Sequence, residues 1–233
     1  MIAAAYCGTR GIYADMENSA KSLIATTPVD KVYFIIEDEA FPHPLPDIIE
    51  CIDMSGQTFF DDGFPNAASQ YTWMAAMRIT LCHVLPHLDR VLSLDADTVF
   101  MKDASALWDT DMDGCYFAAV PEWHRSKDGL VYCNFGVVLY NLEQLRDGKA
   151  DECIGVLNRN YYRWVEQDVG NYLCQGRIRQ IPALWNSNWW TDKCQSAPVI
   201  RHFAGDPHEE WWDNLCVVRW RNTTWDEVMA LHG

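Results

Sequence analysis

The residues of this chain best placed to do chemistry together are Asp95 and Asp97, two acids separated by one small residue. They end the apolar run Arg90-Val91-Leu92-Ser93-Leu94. In α/β proteins, ligands gather beyond the carboxyl ends of strands. Two carboxylates set there repel each other unless a cation sits between them. Hard divalent ions such as Mg²⁺ and Mn²⁺ are held by a few carboxylates together with substrate phosphates. The pattern points to a metal–diphosphate site of the kind a nucleotide-sugar fills. By itself, an Asp-x-Asp after a strand is more often a solvated turn or a helix cap, so the pair needs partners elsewhere.

The elements that must position those acids alternate along the chain. Ile2–Tyr6, Val32–Ile36, Ile48–Asp53 and Arg90–Leu94 read as strands. Asp15–Ala25 and Ser69–Leu85 carry helical spacing, the second stopping at Pro86. This rhythm predicts a mostly parallel sheet flanked by helices. The second half mixes strands at Tyr116–Val120, Gly136–Tyr140, Arg177–Ile181 and Val199–Phe203 with a helix around Glu166–Cys174. A last helix is expected from Thr224, whose following Trp225-Asp226-Glu227 makes an acid-rich first turn.

At 233 residues and 49% hydrophobic content, with no linker or repeat, the chain reads as one domain with a sizeable core. No apolar run reaches the ~18 residues of a membrane span. Met1–Cys7 reads as a buried first strand, not a signal peptide, which makes the cytoplasm the default expectation. Nine cysteines, odd in number and without a Cys-x-x-Cys pair, fit reduced thiols and argue against structural zinc. The net charge of −15 suits neither a nucleic-acid backbone nor an anionic membrane surface. A small anionic substrate is compatible if a metal and a few basic groups converge locally.

Several segments join the acids in chain order. Leu94-Asp95-Ala96-Asp97-Thr98-Val99 is followed by Asp103–Asp109, then Cys133–Asn141, Glu166–Asn171 and Ile200-Arg201-His202-Phe203-Ala204-Gly205. From about residue 3 to about residue 212, this series resembles glycosyltransferase family eight. These are retaining enzymes of the GT-A fold, a Rossmann-like nucleotide-diphospho-sugar transferase architecture, and glycogenin is among them. The resemblance implies an α/β single-domain fold, with a nucleotide-binding half over about 1–110 and a sugar and acceptor half over about 111–233. It also implies transfer of a hexose, glucose or galactose favoured, from a UDP-sugar with Mn²⁺ as cofactor and Mg²⁺ as the alternative. The acceptor stays unidentified, and an oligomer stays open.

Carried over residue by residue, the resemblance makes Asp95, Asp97 and His202 the metal ligands. It places Thr9, Tyr13, Arg78, Asp95, Ala96, Asn134, Gly205 and His208 against the donor, and Glu166, Gln167 and Asp168 at the anomeric centre. Each position has a chemical reason and an ordinary alternative. An imidazole beside two carboxylates suits Mn²⁺ better than Mg²⁺, whereas a lone histidine is more often a satisfied core residue. Arg78 serves equally as a surface arginine, Asn134 as a turn residue, and the Glu166–Asp168 triplet as a plain helix start. Gly205 and Gly136 read as places where backbone passes close to the donor.

Four departures from the family pattern stand out. Glu166 replaces the usual aspartate, and Phe135 replaces a small residue, which would narrow the sugar pocket. His208 stands where a lysine usually reaches the diphosphate, and the acid many bacterial members carry near Arg10-Gly11 is missing. Seven of eleven tryptophans fall between Trp185 and Trp225. Aromatic faces pack on the C–H faces of sugars, so Trp185, Trp189 and Trp190 are candidate acceptor residues, with a tryptophan-rich core or a partner interface as the alternative. The Trp211-Trp212 pair is a candidate lid over the donor. Rival functions are a nucleotidyltransferase or sugar-nucleotide hydrolase on a related scaffold, and a carbohydrate-binding relative without turnover. Autoglycosylation of one of ten tyrosines is a further option, though nothing marks one of them.

Overall fold

The computed structural model describes all residues except 68, 70, 127, 128, 195, 196 and 233. Its strands are β1 (Ala3–Gly8), β2 (Lys31–Ile36), β3 (Ile49–Asp53), β4 (Arg90–Leu94), β5 (Thr98–Phe100), β6 (Phe117–Pro121), β7 (Cys133–Asn141), β8 (Ile178–Gln180) and β9 (Ile200–His202). Seven of them form one mixed sheet in the order β3-β2-β1-β4-β7-β6-β8. The pairs β1–β2, β1–β4, β2–β3 and β6–β8 are parallel, and β7 runs antiparallel to both β4 and β6.

Both faces of this sheet are buried, so successive residues of one strand feed opposite cores. Ala3, Ala5, Tyr33, Ile35, Val91 and Val138 face one cluster. Ala4, Tyr6, Phe34, Ile36, Leu92 and Leu139 face the other, against the helix Tyr13–Thr26. The final helix, Trp225–His232, opens on a capping box: Glu227 accepts from the Thr224 backbone N–H at 2.7 Å, and Thr224 Oγ1 accepts from the Glu227 N–H at 3.3 Å.

The expected helix over Ser69–Leu85 is broken in the structure; positions 68 and 70 lie outside the described residues. It is divided into an α-turn Thr72–Met77, a 3₁₀ turn Arg78–Thr80 and an α-turn Leu81–Val84. The tightened middle piece carries Arg78, only 4% exposed and therefore no surface arginine. Thr72 enters at φ +62°.

Two irregularities matter more for the site than the regular strands do. β5 and β9 form a separate antiparallel ribbon, with Thr98 opposite His202, and the Phe203 N–H donates to the Asp97 carbonyl at 2.9 Å. The ribbon is anchored to the first helix through buried hydroxyls. Ser19 Oγ lies 2.7 Å from Thr98 Oγ1, and Ser22 Oγ accepts from the Phe100 N–H at 2.9 Å. In the other, β6 and β7 change register between Ala119 and Val120, so that Val138 faces Ala119 while Asn134 faces Val120. The intervening Phe135-Gly136-Val137 leaves its ladder with β6 and turns its polar groups to other partners.

Candidate active site

The carboxyl ends of β1 and β4 and the β7 irregularity open onto a cavity of about 650 Å³. At one corner, one ligand atom each from Asp95, Asp97 and His202 lie within 4.8 Å of one another. His202 Nε2 is 3.2 Å from Asp97 Oδ1 and 3.4 Å from Asp95 Oδ2. Its Nδ1 lies 2.8 Å from Asn186 Oδ1, which fixes Nδ1 as the protonated nitrogen and leaves Nε2 facing the acids. Asn186 is held by donating to Asn134 Oδ1 at 2.8 Å. The segment bearing it follows β9, since Ser187 N–H donates to Ile200 O and Ser187 O accepts from His202 N–H. Burial works against a charge on the His202 ring, yet Asp97 and Asp95 outweigh it and push the imidazole up to about 10. This set of two carboxylates and one imidazole fits a divalent cation.

Gly136 owes its identity to this corner. A Cβ there would collide with the His202 ring, so the glycine makes room for the imidazole and not for a donor. Its carbonyl accepts from the Asp95 N–H at 2.8 Å.

Arg78 ties the corner to the second row of acids. It donates to Asp95 Oδ1 at 2.6 Å, to Glu166 Oε1 at 3.1 Å, to Ser93 Oγ at 2.9 Å and to the freed Phe135 carbonyl at 2.5 Å. Burial raises the Asp95 carboxyl, but Arg78 and His202 bring it below its usual range. Glu166 behaves in the opposite way. Its desolvation exceeds the pull of Arg78, and its carboxyl is pushed up to about 7. The helix Val165–Leu173 that presents it starts at a strained residue, Val165 with φ +25°.

Gln167 lines the cavity, with its Oε1 accepting from the Phe135 N–H at 2.8 Å and its Nε2 donating to Tyr132 Oη at 3.2 Å. Asp168 is absent from the cavity wall. It lies behind, accepting from Tyr132 Oη at 2.5 Å, from the Trp164 N–H at 3.1 Å and from Arg125 at 3.3 Å. The following residue of a helix turns about 100° away, so neighbours of a wall residue need not share its exposure. Asn134 does line the cavity, donating to Glu122 Oε1 at 2.9 Å while its Oδ1 accepts from Gly136 N–H.

Thr9, Ala96 and Gly205 line the cavity, Gly205 at φ +79° where an L side chain is strained. Tyr13 does not. Its ring is 3% exposed and stacked on Phe41 at 4.8 Å, and its hydroxyl donates to Asp38 at 2.9 Å. Ile12, one residue earlier, faces the cavity instead. His208 is likewise off the wall. Its Nε2 is 3.1 Å from Asp15 Oδ1, and its ring stacks on Trp212 at 5.3 Å. Trp211 lines the cavity and packs on Phe203. Phe135 does not narrow the cavity, because its ring points into the core, against Phe117 and Gly170.

Of the three acceptor candidates, Trp190 lines the cavity and Trp189 is exposed beside it, its carbonyl accepting from the Trp123 indole at 3.1 Å. Trp185 packs against the core beneath the sheet. Sequence reasoning missed Glu122, Asp15 and Trp164, all on the cavity wall. Glu122 had a readable signal, an acid directly after a strand-ending proline, the same placement as Asp95. Asp15 sits on the predicted first helix, and its burial raises its carboxyl against the pull of His208.

The sheet order, the reversed β7 and the acids at the end of β4 are those of the GT-A architecture. The pattern of Glycosyl transferase family 8 matches residues 47–208, and the chain belongs to that family. A Haemophilus influenzae protein described as a putative glycosyltransferase is 24% identical over 172 residues, covering 64% of this chain and 52% of its own. An Escherichia coli lipopolysaccharide 1,2-glucosyltransferase is 32% identical over 114 residues, covering 43% and 34%. The chain thus spans about half or less of the length of these curated relatives. Among solved structures, the galactosyltransferase LgtC, in complex with donor and acceptor sugar analogues, shares the fold with a TM-score of 0.68 at 20% identity over 100% of this chain and 95% of that one. The glycosyltransferase GlyE of Streptococcus pneumoniae does so at 0.71 and 18% identity, over 98% and 62%. Among the described residues, no helix is long and apolar enough to cross a membrane.

Proposed function

We propose that this glycosyltransferase moves a hexose, glucose or galactose, from a UDP-sugar to an acceptor hydroxyl with retention of configuration, using Mn²⁺ held by Asp95, Asp97 and His202. The observation that carries the reading is the convergence of those three groups at one corner of the cavity. When bound there, the ion supplies Lewis-acid neutralisation of the diphosphate. The chain is read as one domain, with a nucleotide-binding half over about 1–110 and a sugar and acceptor half over about 111–233 that returns His202 and Gly205 to the donor corner.

Within that reading, Asn186 accepts from Nδ1 of His202 and holds Nε2 aimed at the ligand corner. Thr9, Ala96 and Gly205 form the donor wall. Arg78, unable to lose its proton, sets the separation between Asp95 and Glu166. Glu166 and Gln167 present oxygens and an amide to the sugar, where positive charge develops as the glycosidic bond breaks. Asp168, Tyr132 and Arg125 hold that helix start in place. In front-side displacement, the acceptor hydroxyl attacks the face that UDP leaves and passes its proton to the departing phosphate oxygen. Glu166 is the carboxylate placed to act as nucleophile if the reaction instead takes two displacements.

One observation favours a second reading, that of a glycan-binding relative. His208 is paired with Asp15 and brings no cation to the cavity. UDP release from a panel of UDP-sugars, with Mn²⁺ and with chelator, separates the two. Metal-dependent release from one sugar, lost in Asp97→Ala, is the expected result. Metal-dependent UDP binding without release from any sugar would support the binding protein, and no UDP binding would sink the nucleotide-sugar reading.

A further inference from the structure

One group on the cavity wall has no part in the steps above. Trp164, just ahead of the helix Val165–Leu173, lines the cavity together with Arg163 and Arg125. The Arg125 guanidinium lies 3.8 Å from the Trp164 ring centroid and that of Arg163 lies 4.6 Å from it. Cation–π attraction holds each guanidinium to the indole, while two like charges gathered on one ring repel each other. Arg125 is neutralised within the protein by Asp168 at 3.3 Å. Arg163 is exposed, and its contact among the described residues is the indole alone. A guanidinium on a cavity wall with no carboxylate partner among the described residues is available to an anionic group that enters the cavity.

We propose that Arg163, propped on Trp164, binds an anionic group of the acceptor, a carboxylate or a phosphate, so that the acceptor is an acidic saccharide. The proposal rests on the glycosyl-transfer reading above. The planar guanidinium fork matches either oxyanion with two parallel hydrogen bonds. The donor corner is served by a different cation, Arg78, which binds Asp95 and Glu166. Arg163 and Arg125 make no ion pair with Asp95, Asp97 or His202. Trp190, on the same cavity, offers an exposed ring for the C–H face of the sugar that carries the anion.

The experiment is calorimetric titration of the full chain, first with UDP and Mn²⁺. The UDP–Mn²⁺-loaded protein is then titrated with methyl glucuronide, glucose 6-phosphate and methyl glucoside. An anionic probe is expected to bind at least about tenfold tighter than methyl glucoside, and less so at high salt. Preference for the glucuronide identifies a carboxylate, and preference for the phosphate ester identifies a phosphate. Arg163→Gln should bring that ratio close to one with UDP affinity unchanged. Charged and neutral probes binding equally, or none binding while UDP does, would overturn the acceptor proposal and leave the donor reading intact. A loss of UDP affinity in Arg163→Gln would put the guanidinium on the diphosphate and overturn it as well. Failure of UDP itself to bind overturns the donor reading and, with it, this inference.

Discussion

The two sides of the cavity are held by different physics. The corner of Asp95, Asp97 and His202 is fixed by strand pairing and by hydrogen bonds that close on themselves. His202 is paired to Thr98, propped by Asn186 and packed on a glycine, while Asp95 is gripped by Arg78 and by a backbone carbonyl. The side formed by Trp164, Arg163 and Trp190 depends on ring faces and on segments outside the strands. A metal corner must hold its ligands within tenths of an ångström, which rigid pairing supplies. An acceptor surface is better served by exposed aromatic planes, whose contacts tolerate sliding. The lesson is that precision here is bought with backbone, and breadth with side chains.

The largest expected effect tests that contrast directly. Asp97→Ala should lower metal-dependent UDP release by about 10³-fold or more, about 4 kcal/mol of barrier. Trp190→Ala should cost no more than about tenfold. Equal losses in the two variants would erase the distinction. Next comes Gly136→Ala, which forces the His202 ring aside and should weaken Mn²⁺ binding by about 10²-fold in a direct titration, with secondary structure by circular dichroism retained.

A third prediction concerns pH in the metal-free protein. Burial raises the Glu166 carboxyl to about 7 from 4.5. Its favourable contribution to stability is therefore complete below about 4.5 and lost as the pH rises through about 7. Glu166→Gln escapes that loss. In chelator, its melting temperature should gain on wild type between pH 4.5 and 8, by the equivalent of about 3 kcal/mol. A constant difference across that range would mean the carboxylate is better solvated than its surroundings imply. The smallest effect is expected for Asn186→Ala, about tenfold in metal affinity, because it releases the imidazole without displacing it.

Much of the corner was legible because it obeys local rules. The apolar run ending in Asp95 is β4, and the βα alternation produces the parallel half of the sheet. What escaped reading depends on register and side-chain direction. β5 has three residues, too few for a periodic signal, yet its pairing decides that His202 meets the acids. The β6–β7 irregularity leaves no mark in composition, though it frees the carbonyl that Arg78 binds. Tyr13 and Ile12 are adjacent, and only the turn of the first helix determines which one faces the cavity. Among the tryptophans, Trp185 looked like its neighbours in sequence, but its backbone turn carries it under the sheet.

The β5–β9 ribbon also has a consequence for how the molecule is made. It joins Thr98 to His202, closing a loop of about a hundred residues, and the entropy of that closure must be met before any contact inside it repays the chain. A nascent chain emerging from the ribosome can assemble the parallel half of the sheet early, but it carries an incomplete ligand set until its final strand appears. Under the proposed metal reading, capture of the ion marks the end of folding, and an ion that binds the finished corner favours the closed ribbon by mass action.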